Sequence, residues 1–257
     1  MIFHLPIKDN IKIAKLLKKM GKDAELIQMW KCANVNAVDR CGISDHGGVH
    51  IRIVANAALK VLRLLIKKGI KPSVVENYAL TNGDAELIVV LASCLHDIGI
   101  SVHRDSHEEY SIQLAYLKLR ELLKDIYEEP EITIITSEIL HAIVAHNAKE
   151  TCLTIEAGVL KVADALDMAK GRSRIPFKAG QINIHSVSAQ AVESVDIEEG
   201  EARPVRIVIN LTSSAGIFQV DELLKKKLMN SSIKEFIEVV AKQNIVSEKP
   251  IFETFTI

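Results

Sequence analysis

His96 and Asp97 stand side by side at the end of an apolar stretch, LASCLHDIGI. Burying two polar side chains there costs free energy unless each of them finds a partner. A divalent cation can be that partner, because imidazole and carboxylate both coordinate such ions and a carboxylate can bridge two of them. For an isolated His-Asp pair, a solvated helix end with a local hydrogen bond would be the preferred interpretation.

The pair is not isolated, because most of the nine histidines fall at or near the ends of predicted helices. Between residues 44 and 170, one predicted helix after another contributes a histidine or an aspartate. Histidines scattered through a core would not be ordered in this way. The ordered set consists of His50, His96, Asp97, His107, His146 and Asp164.

Periodicity and capping residues predict the helices that carry this set. The first helix spans Asp9 to Met20, and the second begins near Ser44 or Asp45 and ends at Gly69. Another contains AELIVVLASCLHDI, so that His96 and Asp97 lie in its last turn. Its predicted N-terminal caps are Thr81, Asn82 and Asp84, and Gly99 is expected to close it in the left-handed conformation.

Three further helices are predicted before residue 171. Ser106 and Glu109 match a capping box for a helix that reaches about Tyr127, and Pro130 separates it from the next helix. The remaining two helices carry His141 with His146, and Asp164 with Asp167; the second of them follows Thr154 and ends at Gly171.

Beyond Pro176 the sequence becomes rich in β-branched residues with partial alternation. QINIHSVSAQAVESVDI and VRIVINLT, separated by the polar turn EEGEARP, predict a hairpin. A helix from about Val220 to Lys242 and a terminal strand, IFETFTI, complete the prediction. The fold class is therefore mainly α: a helical domain over residues 1–175, followed by a small α+β domain over residues 176–257.

The ordered set resembles the HD superfamily of metal-dependent phosphohydrolases. HIRIVA, which begins at His50, is similar to the opening H-x-x-x-V-A of that family; LHDIG is similar to its name-giving doublet, and VADALD to its closing A-D-x-L segment. The resemblance covers roughly residues 44 to 174. DHGGVH, HRDSHEEYS and ADALDMAKGRSR resemble a prokaryotic subgroup of HD proteins that carries an extra C-terminal domain.

The resemblance implies the ligands of a metal centre. His50, His96, Asp97 and Asp164 would hold one ion, while Asp97, His107 and His146 would hold a second; many HD proteins bind one metal. His141 competes with His146 for the place in the second site. Residues five apart on a helix point about 140° apart, so both can hardly bind the same ion, and the other one is free to touch substrate.

Residues beside this set offer further roles, each with a structural alternative. His46, preceded by Asp45, can act as a proton donor to the leaving oxygen, or the pair can cap the helix. Gly47 and Gly48 allow either close approach of a ligand to the helix N-terminus or a crowded helix crossing. Asp167 can orient a ligand histidine or can form a surface ion pair with Lys170.

Several cations are candidates for phosphate binding. Arg172 and Arg174 follow the Asp164 helix and suit bidentate phosphate contacts, although arginines there can simply complement the helix dipole. Arg104, with His103, occupies a short loop that can reach a cleft. Lys225, Lys226 and Lys227 are interpreted as a solvated helix face.

Composition limits the partners. Lys plus Arg (32) and Asp plus Glu (33) give a net charge of −1, so no general attraction to nucleic acid or to an anionic membrane is expected. The longest apolar stretch, Leu87 to Leu95, is far shorter than the roughly 20 residues that cross a bilayer. With no leader-like N-terminus and four widely spaced cysteines, the sequence predicts a cytoplasmic protein with reduced thiols.

The predicted function is metal-dependent hydrolysis of a phosphate ester, either a nucleotide-like phosphomonoester or a cyclic phosphodiester, by a metal-activated water. Mixed His and carboxylate ligation favours one or two ions of manganese, iron, nickel, cobalt or zinc. A di-iron oxygenase on the same fold and a non-enzymatic, metal-dependent nucleotide sensor are the alternatives. Apolar alternation with an exposed strand edge suggests a homodimer contact through the C-terminal domain, or a substrate lid.

Overall fold

The computed structural model describes residues 5–7, 10–169, 184–243 and 254–256, where a helical part precedes a small mixed sheet. The helices of the first part are α1 Ile11–Met20, α2 Ala24–Asn34, α3 Gly48–Lys67, α4 Ser73–Tyr78, α5 Asn82–Leu95, α6 His107–Leu123, α7 Glu129–Ala145 and α8 Ile155–Ala165. A π-helical turn, Val35–Arg40, follows α2, and a 3-10 turn, Ile98–Ser101, follows α5. The prediction of a mainly α chain with a C-terminal α+β part is confirmed.

Helix α5 lies at the centre of the helical part and packs against α3, α7 and α8. Every residue from Leu87 to Leu95 is buried, which explains why this stretch is apolar on all sides rather than on one face. Thr81 and Asp84 form a capping box at its start, as their types predict. His96 and Asp97 therefore leave α5 at a point that its neighbouring helices fix.

Helix α2 was not expected from the sequence. Asp23 caps it by accepting a hydrogen bond from the Leu26 backbone, and Trp30 on its buried face donates from Nε1 to the carbonyl of Cys94 at 2.8 Å. The next turn is held in a similar way, because Asn36 donates to the carbonyls of Ile100 and Ser101. These bonds secure the end of α5 and the turn that follows His96 and Asp97.

One predicted helix start and one predicted capping box differ from the observed structure. Helix α3 begins at Gly48, although Asp45 still accepts hydrogen bonds from the backbone of Gly47 and His50, at 3.2 Å each. Helix α6 begins at His107 after Ser106, which has a φ of 55° and makes no side-chain capping bond within the described chain. The predicted capping box from Ser106 to Glu109 is therefore wrong, since a left-handed Ser106 does not place its hydroxyl as an N-cap.

Two helices also end earlier than predicted. Helix α6 ends at Leu123 rather than near Tyr127, and Asp125 beyond it has a φ of 69°, which does not continue a right-handed helix. Helix α8 ends at Ala165 rather than at Gly171. Asp167 is thus outside the helix, where its carboxylate contacts His50.

Gly69 and Gly99 serve different purposes. Gly69 follows the end of α3 with a φ of 85°, as predicted for a residue that closes a helix. Gly99 is not left-handed, so that part of the prediction is wrong. It lies in the 3-10 turn, where an added Cβ would be 2.1 Å from the carbonyl oxygen of His107. Gly99 is required because α6 approaches this turn closely.

The sheet contains four strands in the order β1-β2-β3-β4. They are β1 Val192–Glu199, β2 Val205–Leu211, β3 Ile237–Gln243 and β4 Thr254–Thr256. β1 and β2 form an antiparallel hairpin, β2 and β3 pair in parallel, and β3 and β4 are antiparallel. The sheet packs on the helical part through contacts of β1 and β2 with α3.

Two sequence predictions in this region are wrong. Ile184–Gln190, expected to be strand, is helix α9, because β-branched composition is only a weak preference and β1 begins at Val192. The predicted helix from about Val220 to Lys242 stops at Met229: a π-helical turn, Gln219–Lys225, leads into the short helix α10, Lys226–Met229. Strand β3 occupies the rest, since Ile237, Val239 and Ala241 alternate into the core.

The buried core is continuous between the two parts of the chain. One cluster of buried apolar residues includes Leu59 and Leu62 of α3, Val162 of α8, and Ile207 and Val239 of the sheet. Among the described residues, no helix combines the length and the apolar character needed to span a membrane.

Candidate metal centre

The ends of several helices bring the predicted ligand residues together. His50 lies in the first turn of α3, His96 and Asp97 follow α5, and His107 begins α6. His146 follows α7, and Asp164 lies in the last turn of α8. All except Asp164 are buried, and the side chain of Asp164 is 14% exposed. The metal centre, as the term is used below, consists of His50, His96, Asp97, His107, His146 and Asp164.

Asp97 divides its two carboxylate oxygens between two pairs of histidines. Its Oδ2 lies 3.3 Å from Nε2 of His50 and 3.1 Å from Nε2 of His96. Its Oδ1 lies 3.2 Å from Nε2 of His107 and 3.7 Å from Nε2 of His146. A carboxylate placed in this way faces two adjacent groups of nitrogen donors.

Asp164 also uses its two oxygens differently. Oδ1 faces the first pair of histidines, at 3.3 Å from Nε2 of His50 and 3.7 Å from Nε2 of His96. Oδ2 lies 2.5 Å from the ammonium of Lys227, which belongs to α10.

The outer nitrogens of the histidines indicate which tautomers are present. Nδ1 of His96 is 2.9 Å from the carbonyl of Ser93, and Nδ1 of His146 is 2.5 Å from that of Ile143. Nδ1 of His50 is 2.7 Å from the carboxylate of Asp167. Because carbonyls and carboxylates only accept hydrogen bonds, each of these Nδ1 atoms carries a proton, and Nε2 is left as the atom that can bind a cation.

His107 differs from the other three histidines, because both a donor and acceptors lie beside its Nδ1. Its Nδ1 lies 3.1 Å from the carbonyl of Arg104 and 3.2 Å from the carboxylate of Glu108, and both are acceptors. The guanidinium of Arg104 is 2.9 Å from the same nitrogen. Because the guanidinium only donates and the other two groups only accept, these contacts do not fix the tautomer of His107; its Nε2 is directed at Asp97 in either case.

The donor set fits a divalent transition metal. Nε2 of His50 is 3.2 Å from Nε2 of His96, and Nε2 of His107 is 3.3 Å from Nε2 of His146. Lone pairs at these distances repel each other unless a cation or a proton lies between them. The donor atoms fall into three overlapping groups that can hold an ion: His50, His96 and Asp97; His96, His146 and Asp164; and Asp97, His107 and His146.

Charge interactions within the centre shift several pKa values. Burial would raise the pKa of Asp97, but His96, His107 and His50 hold it well below its usual range. Burial would also raise the pKa of Asp164, but Lys227, His50 and His96 hold it well below its usual range. Both carboxylates are therefore ionised and available to bind a cation.

The pKa values of His96 and His146 shift in opposite directions. Burial lowers the pKa of His96, but the carboxylates of Asp97 and Asp164 outweigh it and raise the value to about 10. Burial together with the charge of His96 lowers the pKa of His146 well below the ordinary value. His146 is therefore neutral, whereas His96 without a metal holds a second proton on Nε2, and a cation bound there would replace that proton.

The structure separates His141 from His146. His146 belongs to the metal centre, whereas none of the metal-binding groups found in the described chain includes His141. Nε2 of His141 instead accepts a hydrogen bond from the backbone of Leu153 at 3.0 Å. This contact links α7 to the loop before α8.

His46 and Arg104 lie beside the centre. The rings of His46 and His50 have centroids 5.3 Å apart, and Nδ1 of His46 is 2.6 Å from the carbonyl of Ser44. Arg104 is exposed apart from its contact with His107, and His103 is exposed in the same loop. Arg172 and Arg174 lie outside the described residues.

Gly47 is explained by packing rather than by a ligand. A Cβ added there would lie 3.0 Å from Cβ of Asn34 at the end of α2. Oδ1 of Asn34 also accepts a hydrogen bond from the backbone of His46 at 3.0 Å. The crowded helix crossing, one of the two interpretations of this glycine, accounts for it.

Asp167 and Lys227 both contact residues of the metal centre, but the sequence indicated a role only for Asp167. Asp167 was anticipated as a residue that orients a ligand histidine, and it contacts His50. Lys227 was wrongly assigned to a solvated helix face. The one available signal is that Lys225 and Lys226 each have an acidic residue four positions earlier, whereas Lys227 has Leu223 there.

Comparisons with known proteins identify a family whose matching region contains most residues of the metal centre. A family model described as HD domain matches residues 54–169, which begin just beyond His50 and include the other members of the metal centre. An uncharacterised protein of Methanocaldococcus jannaschii is 45% identical over 236 residues, which are 92% of this chain and 90% of that protein. No solved structure matches the chain.

Proposed function

Because the chain belongs to the HD superfamily of metal-dependent phosphohydrolases, we propose that it hydrolyses small phosphate esters with one or two divalent transition-metal ions held by the metal centre. The observation that carries this proposal is the position of the Asp97 carboxylate between two pairs of histidines. One oxygen faces His50 and His96, and the other faces His107 and His146. With this placement Asp97 would serve both ions if two were bound.

The two proposed ions share Asp97 and otherwise have different ligands. His50, His96, Asp97 and Asp164 would hold the first, while Asp97, His107 and His146 would hold the second. Manganese, iron, nickel, cobalt and zinc all suit this mixture of imidazole and carboxylate. Asp167 supports the first site, because it fixes the tautomer and the ring orientation of His50.

When bound, such ions supply an activated water for attack on phosphorus and neutralise charge that develops on the phosphoryl oxygens. The protein has to orient the ester and exclude competing water. The burial of the histidines supports the second task. For the first, Arg104 beside His107 is the proposed contact for a phosphoryl oxygen, because its guanidinium is placed on that side of the centre.

Proton transfer to the leaving oxygen is proposed for His46. Its Nδ1 donates to the carbonyl of Ser44, so Nε2 is the atom that takes up and releases a proton. The neighbouring ring of His50 places His46 at the edge of the centre rather than among its ligands. A leaving alkoxide at that edge would receive the proton there.

The proposed substrate class follows from charge and size. A net charge of −1 gives no general attraction for a polyanion. A phosphomonoester of nucleotide size, or a cyclic phosphodiester, needs only the local charges of the centre. Long nucleic acid is therefore not the proposed substrate.

Turnover tests the proposal directly. We expect the full chain, loaded with Mn²⁺ after removal of bound metal, to hydrolyse an aryl phosphate or a cyclic phosphodiester analogue without needing oxygen. The Asp97→Ala variant should lose at least about a thousandfold in rate, because both sets of histidines lose their shared carboxylate. Asp105→Ala, in the exposed loop before α6, is the matched control and should behave as the unchanged protein.

The outcomes separate the proposal from its rivals. Metal-dependent hydrolysis that is equal in air and under argon supports it. Consumption of oxygen with no phosphate release would establish the di-iron oxygenase instead. Metal and nucleotide binding with no turnover of either phosphate class would establish a sensor.

A further inference from the structure

Lys227 belongs to the C-terminal part of the chain, yet its ammonium reaches the metal centre. Nζ lies 2.5 Å from Oδ2 of Asp164, and the lysine side chain is 20% exposed. The two preceding lysines are placed differently, because Lys225 and Lys226 pair with Asp221 and Glu222 on their own helical turn and are more exposed. Lys227 alone of this basic run contacts the helical part through its side chain in the described structure.

The backbone that carries Lys227 is fixed against α8 and the loop before it. Asn230 donates to the carbonyl of Ala148 at 2.8 Å and accepts from the backbone of Cys152 at 3.2 Å. Ser232 donates to the carbonyl of Thr154 at 2.5 Å. A Cβ added at Gly158 of α8 would lie only 2.3 Å from Oγ of Ser232, so the two segments fit closely. The segment that carries Lys227 is therefore fixed, which keeps its ammonium beside Asp164.

An ammonium beside a centre built for cations needs an explanation. Lys227 and a divalent ion together carry three positive charges and repel each other, and the carboxylates of Asp97 and Asp164 offset only two of these charges. An anion placed between them removes the repulsion and accepts hydrogen bonds from the ammonium. A phosphoryl group bound at the metal centre would be such an anion.

We propose that Lys227 is a substrate-contacting residue whose ammonium binds a phosphoryl oxygen of the ester, and that Asp164 holds this ammonium in position. The C-terminal part thereby completes the active site. This inference rests on the proposed phosphohydrolase function and adds one residue to it.

A purely structural role predicts something different. If Lys227 served only to aim Asp164 at the metal, its removal would lower the bound metal. If it contacts substrate, its removal leaves the metal bound and weakens the binding of phosphate. Metal content and phosphate affinity therefore distinguish the two roles.

The experiment compares Lys227→Met, Lys227→Arg and the matched control Lys226→Met in the full, Mn²⁺-loaded chain. Calorimetry measures the affinity for inorganic phosphate, and an aryl phosphate gives KM and kcat. We expect Lys227→Met to keep its metal, to bind phosphate at least about tenfold more weakly and to show a raised KM. Lys227→Arg should recover most of the affinity, and Lys226→Met should match the unchanged protein. Lys227→Gln replaces the methionine variant should that variant fail to fold.

Either of two results would overturn the inference. One is equal phosphate affinity and equal KM in Lys227→Met and Lys226→Met; the other is loss of metal from Lys227→Met. Failure of the hydrolase proposal is recognised separately. In that case the unchanged protein binds phosphate, and binds it more tightly than Lys227→Met, but hydrolyses no ester.

Discussion

At the scale of single residues, the protons on the outer histidine nitrogens determine what the metal centre can do. Asp167 accepts from Nδ1 of His50, while backbone carbonyls accept from His96 and His146. Each contact leaves Nε2 directed inward, as the atom that can bind a cation. Of these orienting groups, Asp167 is the one that a side-chain substitution can remove without touching a proposed ligand.

Asp167→Ala should weaken metal binding without abolishing the fold. Loss of the carboxylate frees the ring of His50 to rotate and to change its tautomer, and such losses cost about 10- to 100-fold in affinity. Titration with Mn²⁺ would measure the change, and Asp105→Ala serves as an exposed aspartate control. Unchanged affinity in Asp167→Ala would show that His50 is oriented by other contacts.

His50→Ala and His107→Ala should have graded effects if the centre holds two ions. His107→Ala should keep about one ion per chain but lose most turnover, because one side of the pair that stabilises the phosphoryl group is missing. His50→Ala should lose the first ion together with activity. Full metal content and full turnover in His107→Ala would reduce the centre to one ion, held by His50, His96, Asp97 and Asp164.

At the scale of elements, close backbone approach sets the position of the ligands. Ser111 of α6 accepts a hydrogen bond from the backbone of Gly99 and donates to the carbonyl of His96, at 2.8 and 2.7 Å. These bonds join the turn after Asp97 to the helix that begins with His107. The distance between Asp97 and His107 therefore depends on the absence of a side chain at position 99.

Gly99→Ala should lower the free energy of unfolding by about 2–4 kcal/mol, because the new Cβ would overlap the backbone of His107 and Ser111. Denaturant unfolding measures the loss. Gly83→Ala in α5 is the matched control, since the nearest contact of its Cβ would be the side chain of Asn10 at 3.3 Å, not a backbone atom. A Gly99→Ala protein as stable as Gly83→Ala would contradict the close approach of α6.

Asp84 should make the stability of α5 depend on pH. It is buried, and Lys12 and the hydroxyl of Tyr127 bind its carboxylate. Burial would raise its pKa, but Lys12, Tyr127 and Thr81 together hold it below the ordinary value of 3.8. A depressed folded pKa means that the stabilisation is present above pH 3.8 and disappears as the pH falls through the lower, folded value.

Asp84→Asn should therefore be less stable than the unchanged protein by about 2–3 kcal/mol near pH 7. This difference should shrink as the pH is lowered below 3.8. Denaturant midpoints measured at several pH values provide the test. A difference that stays constant down to the acid limit would show that the charge of Asp84 does not stabilise the fold.

At the scale of the whole molecule, the helical part was more predictable than the sheet. The capping residues of α5 and its continuous apolar run predict a central helix. Residues Val220 to Lys242 illustrate the opposite case, because their apolar spacing fits a helix locally. Pairing with β2 and β4 decides their structure, and those partners are distant in the sequence.

The members of the metal centre could also be predicted only in part. The order of histidines and aspartates along the helices indicated its members, since helix ends that carry ligands must meet if they share an ion. The choice between His141 and His146 could not be made from the chain, because it depends on the rotation of α7. Lys227 was missed because its partner, Asp164, lies in another part of the sequence.

The metal content of the Asp97→Ala protein tests the central claim most directly, because Asp97 is the residue that faces both pairs of histidines. Elemental analysis should find about one or two transition-metal ions per chain in the protein as purified, and almost none in Asp97→Ala. Asp105→Ala should retain the full content. Equal metal in Asp97→Ala and Asp105→Ala would contradict the account, because the buried histidines and carboxylates would then not be the site that holds the ions.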